Sequence, residues 1–80
     1  MLYVMSDVQI LFRVGCAIRE YRELRKFSQE KLAEIASVDR SFLGRVERGE
    51  MNVSIITLCE IAKALGITLK DIIDLAYEKK

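Results

Sequence analysis

Ser28 and Asp39 frame the middle of this 80-residue chain. Each is a short polar residue of the kind that accepts a hydrogen bond from the first turn of a helix. Each is followed by apolar residues at helical spacing, Leu32 and Ala33 after the first and Leu43 and Val46 after the second. So little chain between two caps leaves room for a helix over about 29–35, a turn at Ala36-Ser37-Val38, and a second helix over about 40–48. Gly49 closes the second helix in a left-handed conformation.

The flanks read the same way. A longer helix over about 10–25 carries Leu11, Val14, Ile18 and Tyr21 at steps of three and four. After a loop from Glu50 to Val53, Ser54 caps a helix over about 55–65 that Gly66 stops. Thr68 starts a last helix, with Asp71 three residues on as its capping-box partner. There is no proline, and alternating β-branched runs are scarce. The expectation is an all-α, compact five-helix chain forming a single domain over residues 1–80.

Composition narrows the function. With 51% hydrophobic and 31% charged residues the chain is an ordinary globular one. Its length supports a small core, for which a second copy is a natural source of stability. No apolar run approaches the roughly 18 residues of a membrane span. The start, Met1 to Asp7, lacks a secretory pattern, so the expected location is cytoplasmic. Histidine is absent, and Cys16 and Cys59 form no CxxC pair, so neither a metal nor a cofactor is expected. The two cysteines read as small reduced hydrophobes. Catalysis lacks a nucleophile–base pair and a phosphate-cradling glycine loop, and no enzyme activity is expected. The net charge is only +1, but residues 13–48 hold nine basic and six acidic residues, a surplus of three, while residues 1–12 and 49–80 each sum to −1. Cationic charge gathers around the two short helices.

Two short helices across a tight turn, framed by longer ones, suggest a helix-turn-helix over about 28–48. Ala33 lets the second helix cross close by, Val38 points from the turn to the core, and Leu43 and Val46 fix the crossing angle. The outer face is left with Arg40, Ser41 and Arg45.

The run Ser28-Gln29-Glu30-Lys31-Leu32-Ala33, then Val38-Asp39-Arg40-Ser41-Phe42-Leu43, then Val46-Glu47-Arg48-Gly49 resembles the phage-repressor-like helix-turn-helix family. The stretch from Leu58 to Gly66 fits the same pattern. Asp39-Arg40-Ser41-Phe42 together with Glu47 to Ser54 is most similar to the controller proteins of restriction–modification systems. Lys26 and Ser37 stand where the family usually has glycine, Val53 replaces a common proline, and Met51 replaces a common basic residue.

The resemblance implies that the helix over about 40–48 lies in the major groove. Arg40 and Arg45 then read guanine, at about 1–3 kcal/mol of discrimination each, or hold phosphates, with Ser41 a weaker reader. Backbone contacts fall to Gln29 at a helix N-terminus, to Arg48 and Asn52 on the other side, and to Ser28 beside its capping role. Phe42 either touches the DNA or packs on the neighbouring helix. Gly44 either lets DNA approach or is a tolerated surface glycine. By the same resemblance Glu47 pairs with Arg22 as a structural ion pair. Ile55, Leu58, Ile61, Ala62 and Leu65 are expected in the core. Ile56, Ile67, Leu69, Ile73 and Leu75 are left for a dimer interface within residues 54–77, or else complete an over-apolar monomer core.

The partners implied are double-stranded DNA with a roughly palindromic operator, a second copy of the chain, and RNA polymerase. The function implied is a regulator that activates and then represses its own operon. An antitoxin that also represses its own operon, and a small phage-type repressor, are the alternatives.

Overall fold

The computed structural model describes residues 4–78. The ends of the 1–80 domain, Met1 to Tyr3 and Lys79–Lys80, lie outside the described residues. Five helices follow one another, with no strand among the described residues: α1 Asp7–Leu24, α2 Gln29–Ala36, α3 Arg40–Glu47, α4 Ile55–Leu65 and α5 Leu69–Glu78.

α1 begins a turn earlier than its apolar spacing suggests. Ser6 accepts from the Gln9 backbone at 3.2 Å, and the Gln9 side chain accepts from the Ser6 backbone at 2.9 Å. This capping box satisfies two donors that a helix start leaves unpaired. The added turn faces solvent through Val8, which is why the spacing of buried residues does not reveal it. Ser28, Asp39 and Ser54 cap α2, α3 and α4 through the backbone N–H groups of Lys31, Phe42 and Thr57. Thr68 and Asp71 exchange backbone hydrogen bonds at 2.9 and 3.1 Å to start α5.

The helix ends are closed by left-handed residues. Gly49 and Gly66 adopt φ of 76° and 73°, and Lys26 and Ser37 both adopt 59°. The last two carry a Cβ into a region that disfavours it by about 1–2 kcal/mol. Part of that cost returns because glycine adds freedom to the unfolded chain. Lys26→Gly and Ser37→Gly are each expected to stabilise the domain by about 0.5–1 kcal/mol. On a domain of this size that raises the thermal midpoint by roughly 2–8 °C, measurable by circular dichroism.

α1 packs on α3 and α5, α2 on α3 and α4, and α4 on α5. Val14, Ala17, Ile18, Leu32, Ala33, Ala36, Leu43, Val46, Leu58, Ile61, Ala62, Leu65, Ile72 and Ala76 form one buried cluster. Burying a side chain such as Ile18 or Leu43 contributes about 1.5–3 kcal/mol. Val38, Met51 and Val53 lean on this cluster from the loops. Ile55 does not join it. Contrary to its expected place in the core, it is 64% exposed, because the first turn of α4 stands proud of the packed bundle. Cys16 and Cys59 are half-buried free thiols.

Candidate nucleic-acid interface

The position of α3 is set from beneath by one residue. Glu47 ends the helix with its side chain fully buried. Its Oε2 accepts from Arg22 Nε at 2.7 Å, and its Oε1 from Arg22 Nη2 at 3.0 Å and Gln29 Nε2 at 2.9 Å. Arg19 lies 3.8 Å from the same carboxylate. Arg22 also donates through Nη1 to the Phe27 carbonyl at 2.9 Å. One carboxylate thereby joins the end of α1, the loop after it, the first residue of α2 and the last of α3. The bidentate guanidinium geometry restricts rotation as well as distance.

Two glycines let the backbones meet there. A Cβ on Gly15 of α1 would lie 2.5 Å from the Val46 carbonyl oxygen and 2.8 Å from the Glu47 carbonyl carbon. A Cβ on Gly49 would lie 2.8 Å from the Phe12 Cα. Neither contact can exist, so α1 rests directly on the C-terminal turn of α3. Gly15 is not legible in the sequence as a contact, because a glycine within a helical pattern looks like a propensity cost.

The outward face carries the residues expected to meet DNA. Arg40 is exposed at the first position of α3 and has no side-chain partner among the described residues. The Ser41 hydroxyl donates to the capping carboxylate of Asp39. Arg45 is exposed, 4.0 Å from Glu50, and Arg48 donates to the same carboxylate at 3.0 and 3.3 Å. Asn52 is exposed beside a shallow recess shared with Asp7, Ile10 and Leu11.

Ser28 is exposed with its oxygen on the Lys31 N–H. The Gln29 amide turns inward to Glu47, leaving its backbone as the outward part of that position. Phe42 is half-buried against the core, so packing accounts for most of its ring. Gly44 is not an open surface. It is buried beneath Gln29 and Arg48, whose side-chain tips would lie 3.5 and 3.3 Å from an added Cβ. Of the expected dimer set, Ile56 is 72% exposed beside Ile55, while Ile67, Leu69, Ile73 and Leu75 are half-buried and lean on the core.

Charge follows geometry at this surface. The Ser41 hydroxyl and then the Phe42 N–H hold the Asp39 carboxyl below its ordinary pKa. The Arg48 hydrogen bond does the same for Glu50. A carboxyl whose pKa is lower in the folded state stabilises fully above its unfolded value of about 4 and loses that contribution as pH falls through the folded one. The thermal midpoint is therefore expected to fall as the pH drops below about 5. Asp39→Asn, which keeps the capping oxygen, is expected to flatten part of that drop in a series of melts against pH.

A family model described as helix-turn-helix matches residues 18–72. The chain belongs to this helix-turn-helix family. It is 46% identical over 52 residues to control protein C.SmaI of Serratia marcescens, covering 65% of this chain and 62% of that one, short of two thirds of the relative's length. It superposes with a TM-score of 0.76 and 40% identity on the restriction-modification controller protein C.AhdI from Aeromonas hydrophila, covering 78% of this chain and 94% of that one. The restriction-modification controller protein C.Esp1396I, solved as a tetramer with its natural 35 base-pair operator, superposes with a TM-score of 0.79 and 26% identity, over 86% of this chain and 91% of that one. The all-α, five-helix architecture of this chain is thus that of a helix-turn-helix protein. No helix among the described residues is long and apolar enough to cross a membrane.

Proposed function

We propose that this protein is a sequence-specific DNA-binding transcription regulator of the restriction–modification controller type, acting on its own operon and by binding rather than catalysis. The observation that carries the reading is the rigid outward presentation of Arg40 and Arg45 on α3, locked from beneath by Glu47, in a chain similar to control proteins. An α-helix is about 10–12 Å across with its side chains, which suits a major groove about 12 Å wide. Arg40, Ser41 and Arg45 take the base edges. Arg48, Asn52, Ser28, the backbone of Gln29 and the exposed edge of Phe42 hold the phosphates. The protein works in the cytoplasm, as a homodimer on a roughly palindromic operator. Ile56, with Ile55 beside it and the edges of Ile67, Leu69, Ile73 and Leu75, supplies the self-contact. Activation proceeds through RNA polymerase at low occupancy, with repression when a second dimer binds.

Footprinting on the DNA upstream of the protein's own coding sequence tests this, paired with sedimentation of the free protein. Two protected half-sites about one helical turn apart and a dimer in solution are expected. Protection of no discrete sequence, or a monomer at high micromolar concentration, would count against it.

A further inference from the structure

α1 to α4 share one way of ending. The backbone N–H of the residue after the left-handed position returns to a carbonyl in the last turn: Phe27 to Arg22, Val38 to Ala33, Glu50 to Arg45 and Ile67 to Ala62, at 3.1, 2.9, 2.9 and 3.0 Å. This closure usually seats an apolar side chain against the helix it ends. Phe27, Val38 and Ile67 do so, half-buried on the core. Of the four, α3 alone places a carboxylate there.

Glu50 is thus fixed by its backbone to Arg45, and its side chain reaches the guanidinium of Arg48 at 3.0 and 3.3 Å and stands 4.0 Å from Arg45. All three side chains are half-exposed, so the carboxylate contributes little to folding. Its position matters more for what those arginines meet. A phosphate approaching Arg45 or Arg48 finds a negative charge already in place.

We propose that Glu50 is a specificity-determining residue, a tethered counter-ion that suppresses binding to DNA of arbitrary sequence. The inference rests on the reading of Arg45 and Arg48 as DNA contacts. On unrelated DNA the arginines offer only phosphate pairing, and Glu50 competes with it directly. On the correct operator, base-edge contacts outweigh that competition, so discrimination increases although no attractive contact is added.

Glu50→Gln in the full chain tests this, because the amide keeps the shape and the backbone closure but not the charge. Asp74→Asn on α5 makes the same change in net charge at an exposed pair with Lys70. Binding to a scrambled duplex and to the upstream duplex is measured by fluorescence anisotropy across a salt series. Glu50→Gln is expected to bind the scrambled duplex roughly fivefold tighter, with a salt slope steeper by about 0.9. Its affinity for the upstream duplex should change less, so the preference falls. Asp74→Asn should stay within about twofold of the wild type on the scrambled duplex, its charge being screened at a distance. Three results overturn the proposal: unchanged scrambled binding by Glu50→Gln, an effect matched by Asp74→Asn, or weaker binding to both duplexes. A wild-type protein that retains neither duplex would instead sink the DNA-binding reading, and this inference with it.

Discussion

Gly15→Ala is expected to destabilise the domain by about 2–4 kcal/mol, a large part of what holds a chain of this size together. In most helices the exchange gains about 1 kcal/mol of propensity, so the sign here is decided by space. The new methyl would stand 2.5 Å from the Val46 carbonyl oxygen and 2.8 Å from the Glu47 carbonyl carbon, and backbone cannot swing aside as a side-chain tip can. α1 and α3 must separate, which loosens the Arg22–Glu47 pair and the core beneath it. A fall of roughly 10–25 °C in the thermal midpoint is expected. Gly44→Ala is the matched control. Its methyl would meet the movable end of Arg48 at 3.3 Å and the Gln29 amide at an ordinary contact distance of 3.5 Å, so the helix-propensity gain should win and the midpoint should rise. Equal tolerance of both substitutions would show that the helices have room that this packing denies them.

Glu47→Ala is expected to cost about 3–4 kcal/mol, far more than the pair with Arg22 contributes on balance. The reason is what stays behind: a guanidinium with a side chain only 12% exposed, and an amide of Gln29, each without its acceptor. Arg22→Ala should cost a similar amount by stranding the carboxylate. The double variant should cost less than the two singles summed, a coupling that denaturation with urea measures directly. Additive losses would mean that the two residues act separately. The joint replacement Arg22→Met with Glu47→Leu should come close to wild-type stability while loosening α3, so DNA binding should suffer more than folding.

The fold was largely legible because each helix has a polar cap and an apolar stripe that agree. Ser28, Asp39, Ser54 and Thr68 all mark real starts. Ser6 escaped because the turn it begins buries nothing, and burial is what makes spacing informative. Ile55 was misplaced for the converse reason: it lies on the apolar spacing of α4 but in a turn with nothing packed over it. At the candidate site, the Arg22–Glu47 contact follows from the family likeness, whereas no spacing rule brings Gln29 to the same carboxylate. Gly15 and Glu50 were invisible for a shared reason. Their importance comes from atoms of other segments, the Val46 and Glu47 backbone for one and two arginine side chains for the other.

Sequence reading by α3 is tested most directly by the ratio of two affinities, for the protein's own upstream duplex and for a scrambled one, in wild type and Arg40→Ala at one salt concentration. The wild type is expected to prefer the upstream duplex by about a thousandfold or more. Arg40→Ala should cut that preference roughly tenfold or more while binding the scrambled duplex almost as before. A wild type without preference, or an Arg40→Ala protein weakened equally on both duplexes, would contradict base reading from this helix.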